Sequence, residues 1–183
     1  PISTLLIWKT KSGIKKRKFI DNYHSNLKLT DFYVPVDNHA KMLVLDGQQR
    51  LQSLFIGLRG SYEKKELYFN LLSGDSVSPE EMRYEFKFLD SSKATFPFYK
   101  FKDIVLRDES PDKLAEELHE LFSTVLTDSE KKIITRNCFL IYKTFVMNDV
   151  ISYQELDSID SPKTYTENDV VEIFIRANSG GTK

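Results

Sequence analysis

Apolar residues recur along this chain in two different periods, and the alternation between them lays out a succession of strands and helices. Residues 2–8 and 32–36 read as strands, the second with Phe32, Val34 and Val36 alternating around Tyr33 and Pro35, a proline that suits an edge or a strand end. Met42 to Leu45 predicts a short buried strand that runs straight into a helix over 47–59. That helix carries Leu51, Leu54, Phe55 and Leu58 as its inward stripe. Segments 67–71 and 84–88 predict paired strands around the turn-rich Ser73-Gly74-Asp75-Ser76, and the aromatic stretch 96–106 predicts irregular structure.

Helical spacing dominates afterwards. Pro111 after Ser110 suits a first helical position, with Leu114, Leu118, Leu121 and Val125 as the apolar face. Thr127-x-x-Glu130 has the spacing of a capping box, opening a helix whose Ile134, Cys138, Ile141 and Phe145 fall on one side. Val150 to Leu156 predicts a further strand. Thr166-x-x-Asp169 opens a last helix with Val170, Ile173, Phe174 and Ala177 facing inward. Cys138 thus reads as a small core residue rather than a nucleophile.

The junction at residues 43–51 changes the picture from fold to chemistry. An apolar run ends in Asp46-Gly47, and Gln48, Gln49 and Arg50 then open a helix. A helix start presents unpaired backbone N–H groups and the positive end of the macrodipole, which together favour an anion such as phosphate. Arg50 could add a planar, permanently charged fork. The same residues also admit a plain structural reading, with Asp46-x-x-Gln49 as a capping box and Gly47 permitting a tight turn. At the far end, Arg176 could be no more than a surface partner of Glu172, and Asn178 with Gly180 no more than a helix C-terminus.

Composition narrows the class of molecule. The 183 residues are 40% hydrophobic and 29% charged, as expected of one globular domain with a real core. The net charge of −1 argues against a protein built mainly to coat nucleic acid. The charge is uneven, however: Lys9, Lys11, Lys15, Lys16, Arg17 and Lys18 precede the first acidic residue, and Asp108, Glu109, Asp112, Glu116, Glu117 and Glu120 form an acidic counterpart. A solvated loop and a phosphate-contacting segment are both open readings of the basic run. A single cysteine forbids an internal disulfide, and no apolar run is long enough to span a bilayer, so a cytoplasmic protein without membrane contact is expected.

Asp46-Gly47-Gln48-Gln49-Arg50, followed by Leu51 and Leu54, resembles the DGQQR signature of the GmrSD restriction-endonuclease N-terminal domain family. Glu172-Ile173-Phe174-Ile175-Arg176-Ala177-Asn178-Ser179-Gly180-Gly181-Thr182 is similar to that family's second segment, about 130 residues downstream, and residues 1–8 match its upstream region more weakly. The resemblance implies an α/β (α+β) fold of ParB/sulfiredoxin-like type, a small mixed sheet with packed helices. It also implies a chain cut at both ends of a longer protein.

The resemblance further implies binding, and Mg²⁺-dependent hydrolysis, of a nucleoside triphosphate by a regulatory part of a DNA-restriction or phage-defence protein. Carried over residue by residue, Gly47 and Gln48 would cradle a phosphate, and Arg50 and Arg176 would neutralise its charge. Gln48 or Gln49 would position water, Asp46 or Asn178 would hold the metal, and Gly180, Gly181 and Thr182 would complete the wall. The alternative is a non-hydrolysing module that binds nucleotide or DNA phosphate and switches a partner nuclease. DNA contact, mainly through other regions, and homo-oligomerisation are left open. Other chemistries find no residues: there is no G-x-x-x-x-G-K-[ST], no zinc-ligand spacing, no His-Asn-His nuclease set, and Gln48 and Gln49 stand where sulfiredoxin-like relatives carry a catalytic cysteine.

Overall fold

A computed structural model describes residues 4–74, 83–160 and 165–179, and divides the chain into two compact units. The first comprises residues 1–20, 27–53 and 149–183, and the second residues 21–26 and 54–148. The class is mixed α/β, as the periodicities predict.

The first unit is built on a three-stranded sheet. Strand β1 (Leu5–Thr10) lies in its centre, antiparallel to β5 (Lys41–Asp46) and parallel to β10 (Tyr153–Asp157). A central strand covered on both faces needs apolar residues throughout, and Leu5, Leu6, Ile7 and Trp8 are all buried. Helix α5 (Glu167–Ser179) starts at a capping box: Thr166 N–H donates to Asp169 at 2.7 Å and Asp169 N–H to Thr166 Oγ1 at 3.3 Å. Its Val170 and Ile173 join Leu6, Trp8, Leu156 and Leu43 in one cluster. Polar staples hold this small core. The Trp8 indole N–H donates to Ser158 Oγ at 2.8 Å, and that hydroxyl donates to the Tyr165 carbonyl at 2.7 Å. Asp37 is pinned between Lys16 and Lys41, and Lys9 between Asp157 and Asp160. A two-stranded ribbon, β2 (Lys16–Arg17) with β4 (Tyr33–Val34), completes the unit.

In the second unit, β7 (Glu66–Asn70) pairs antiparallel with β8 (Phe86–Leu89) and β9 (Phe98–Lys100), and β3 (Asn22–Tyr23) pairs with β6 (Ser61–Tyr62). Helices α2 (Phe101–Val105), α3 (Pro111–Leu121) and α4 (Asp128–Tyr142) bury Phe101, Ile104, Leu114, Leu118, Ile134, Cys138 and Ile141 with Phe69 and Leu71. The caps are those the sequence predicts: Ser110 Oγ accepts from Lys113 N–H, and Thr127 and Glu130 bond reciprocally. Asn137 is fully buried in α4, where its amide donates to the carbonyls of Leu71 and Ser73 at 2.8 and 2.9 Å. Burial pushes the Cys138 thiol up to about 12, so it stays protonated and inert.

Several expected faces turn out narrower than their periodicity. Residues 96–106 are ordered as β9 and α2, because Phe98, Tyr99 and Phe101 anchor a strand-to-helix corner too short to show either period. Leu121 is 63% exposed because α3 ends there, and Val125 falls in the turn beyond it. Phe145 sits in a π-helical turn, Lys143–Met147, where it is 38% exposed while its ring still meets that of buried Phe101 edge-on at 5.2 Å. In α5, Phe174 and Ala177 are exposed, and in β5 the apolar residues are half-buried with Met42 open to solvent. Asp75 and Ser76 of the expected turn lie outside the described residues.

Candidate functional site

Asp46 ends β5 opposite Leu6 on the central strand, where the pairing shifts register between Leu6 and Ile7. Helix α1 (Gln48–Arg59) follows at once; it belongs to the first unit through Ser53 and to the second from Leu54. Gly47 makes the junction possible. Its φ of +87° is left-handed, and a Cβ there would lie 2.2 Å from Leu5 Cδ2 and 2.9 Å from Arg50 Nη2. Only glycine fits between the side chain of Leu5 and the guanidinium of Arg50. The Gly47 carbonyl accepts from Leu51 N–H at 3.0 Å, which makes Gly47 the helix cap. The Asp46–Gln49 capping box is therefore replaced by a cap one residue later. The Asp46 carboxylate accepts from Arg50 Nη2 at 3.1 Å, an i, i+4 pair whose side chains keep 47% and 34% of their exposure.

Both glutamines are exposed, and they differ in what they touch. The Gln48 amide N–H donates to the Val44 carbonyl at 2.7 Å, folding that side chain back onto the end of β5. The Gln49 side chain projects without a hydrogen-bond partner among the described residues; its backbone carbonyl accepts from Ser53 Oγ at 2.9 Å. Gln52 is a residue the sequence reading missed. Its amide bonds both backbone groups of Ile20, accepting from the N–H at 2.9 Å and donating to the carbonyl. This clamp fixes the start of α1 against the segment after β2. A lone glutamine two residues past a motif carries no sequence signal for such a role. On the helix's inner side, Ile56 is buried, while Leu51, Leu54, Phe55 and Leu58 are half-buried.

The second motif lies on α5. Arg176 is 75% exposed and paired with Glu172, and the Asn178 amide donates to the Phe174 carbonyl at 2.9 Å. Gly180, Gly181 and Thr182 lie outside the described residues. The start of α5 is tied to the far end of the central strand, where the Ser12 hydroxyl donates to the Glu167 carboxylate. Elsewhere, His119 is structural, donating from Nε2 to the Lys131 carbonyl at 3.0 Å. Of the basic run, Lys9 and Lys16 are consumed in the ion pairs described above, whereas Lys11, Lys15, Arg17 and Lys18 are exposed, with Arg17 over the Tyr33 ring at 5.5 Å. Among the described residues no group of three histidine, cysteine or carboxylate side chains is arranged to hold a metal, and no helix is long and apolar enough to cross a membrane.

The strand–glycine–helix turn with its guanidinium thus sits in a mixed α/β domain. The particular family follows from the whole chain: residues 5–183 match the GmrSD restriction endonuclease, N-terminal domain, and the protein belongs to that family. It is accordingly a module of restriction or phage-defence proteins, a setting that pairs it with a nuclease domain. No curated protein matches the chain.

Proposed function

We propose that this domain binds a nucleoside triphosphate with Mg²⁺ at the Asp46–Arg50 turn, and hydrolyses it to regulate a partner nuclease. The observation that carries the reading is Gly47: an obligate left-handed glycine with the Arg50 guanidinium against its Cα and exposed polar residues beyond it. Gly47 lets the chain turn straight into a helix whose first backbone N–H groups have no intrahelical partner, and Arg50, packed against that turn, supplies charge-assisted donors beside them.

The geometry of α5 supports a second wall. The helix begins beside Ser12, past the end of β1, whereas Asp46 lies opposite Leu6 at the start of that strand. Thirteen helical residues span about 20 Å, and six strand residues about the same. Helix α5 is therefore long enough to carry Arg176 and Asn178 back to the Asp46 end of the sheet. There Arg50 and Arg176 would neutralise charge developing on the transferred phosphoryl group. Gln49, with its amide uncommitted, is the better placed glutamine to orient the water that attacks phosphorus as the bond to the leaving diphosphate breaks.

Asp46 offers one carboxylate at the turn and Asn178 an amide oxygen, a donor set that fits Mg²⁺ only if phosphate oxygens and water complete its shell. Asp46 and Asn178 would hold the ion, which would supply positive charge to offset that of the phosphates. Gly180, Gly181 and Thr182, outside the described residues, belong to the same motif and to the same proposed site.

One observation favours the second reading, a module that binds without turnover. Gln48 is tied back to Val44, and Asp46 is engaged by Arg50. Both side chains must let go before they can take part in chemistry. Phosphate-release assays with and without DNA separate the two readings. Hydrolysis that drops about tenfold in Gln49→Ala with binding retained supports the first, and tight binding without any release leaves the second.

A further inference from the structure

The second unit holds a hollow of about 630 Å³, lined by Arg59, Tyr99, Lys102, Asp103, Leu106 and Arg107. Its size falls within the range of small-molecule sites, roughly 300–1,000 Å³. Three of its six lining residues are cations, and the carboxylates that hold two of them do not line it. Lys102 is anchored by Glu66, and Arg107 by Glu109 and by Glu117, the latter at 2.7 Å. Those anchors fix the cations in place and leave donors over: Lys102 spends one of its three N–H groups, and Arg107 spends donors on Nε and Nη2 but none on Nη1.

Arg59, in the last turn of α1, has no ion pair or hydrogen bond among the described residues, and neither does the hydroxyl of half-buried Tyr99. A concave surface with one unpaired guanidinium, two cations braced by carboxylates outside it and an unpartnered phenol offers convergent donors. Tyr99 and Leu106 add a flat apolar wall, and exposed Asp103 an acceptor at the side.

We infer that this hollow is a second phosphate-ester site, separate from the turn at Gly47, which takes the phosphate of a nucleotide on Arg59, Lys102 and Arg107 with its base against Tyr99. The phosphate would engage Arg59 in a bidentate fork. The base would lie on the Tyr99 ring, with Asp103 accepting from an exocyclic amine. The same chemistry is offered by a free nucleotide and by a nucleotide unit in a single strand, and size tells them apart.

The test uses the whole chain carrying Arg50→Ala, so that the turn at Gly47 is weakened and its success or failure is read separately. Adenosine 5′-monophosphate, adenosine, and a short single-stranded oligodeoxynucleotide are titrated by calorimetry and by amide NMR. The inference expects saturable binding of the monophosphate or the oligonucleotide, but not of adenosine, with shifts at residues 99–107. Binding should weaken as salt rises. Arg59→Ala in the same background should weaken it at least about fivefold, Arg59→Lys less, because a lysine keeps the charge but not the fork. Arg59 is exposed and makes no contact that holds the fold, so thermal melting of the variant should match its parent. A monophosphate that binds identifies the free nucleotide as ligand; an oligonucleotide that binds alone identifies the strand. No saturable binding of either, equal binding of adenosine, or affinity unmoved by Arg59→Ala with Lys102→Ala would overturn the inference.

Discussion

The two motif segments of this domain are built in opposite ways. At residues 46–50 the chain is constrained: a left-handed glycine, a side chain of the central strand against its Cα, a guanidinium over it and a carboxylate holding that guanidinium. At residues 172–178 the motif side chains stand on the open surface of α5, and their bonds reach only one helical turn back. The first segment has its shape before any ligand arrives; the second has charge and reach but little of its own position. Preorganised groups lose less on binding. The turn should therefore set affinity, and the helix should respond to what is bound there.

Gly47→Ala should do most damage. The left-handed φ and the clash with Leu5 predict a loss of about 2 kcal/mol or more in urea denaturation, together with loss of phosphate binding. Gly57→Ala, in the same helix, where the added Cβ would lie 3.4 Å from Leu67 Cδ2, should instead raise stability by up to about 1 kcal/mol. Two substitutions of equal sign would show that the turn is not strained.

Arg50→Ala should weaken triphosphate binding and turnover together, each by about tenfold, or about 1.4 kcal/mol. Arg176→Ala should have a smaller effect on binding. The double variant sharpens the comparison: coupling above about 0.5 kcal/mol means that both cations touch one ligand, while additive losses would separate them. On stability, Arg176→Ala should cost less than about 0.5 kcal/mol, because its pair with Glu172 is exposed.

The smallest effect is a pH dependence in the sheet that carries the turn. Backbone N–H groups of Asp160 and Ile159, and then Lys9, hold the Asp157 carboxyl at about 2. A depressed carboxylate stabilises the fold above its unfolded pKa near 4 and loses that contribution as pH falls toward 2. Denaturation midpoints should drop across that window, and Asp157→Asn should flatten the drop.

The turn was legible in the sequence because one glycine between an apolar run and a helical stripe leaves few alternatives. The exact cap is not legible, since whether Asp46 or Gly47 caps depends on the left-handed φ that Leu5 and Arg50 surround. The periodicity of α5 predicts burial of Phe174 and Ala177, but a sheet of three strands is only about 10 Å between its outer strands. It covers Val170 and Ile173 and leaves the rest open. The corner at 98–105 was illegible because three strand residues followed by five helical ones complete no period. Arg59, Tyr99 and Arg107 were beyond reach, as nothing in a linear chain links positions so far apart.

The central claim is that the Gly47–Arg50 turn recognises phosphate. Titrating the protein by calorimetry with a nucleoside triphosphate plus Mg²⁺, and with the matching nucleoside, tests it most directly. The account predicts that the triphosphate binds at least about a hundredfold more tightly, or about 2.7 kcal/mol, and that Arg50→Ala removes about tenfold of that difference. Equal affinities for the two compounds, or a difference untouched by Arg50→Ala, would contradict it.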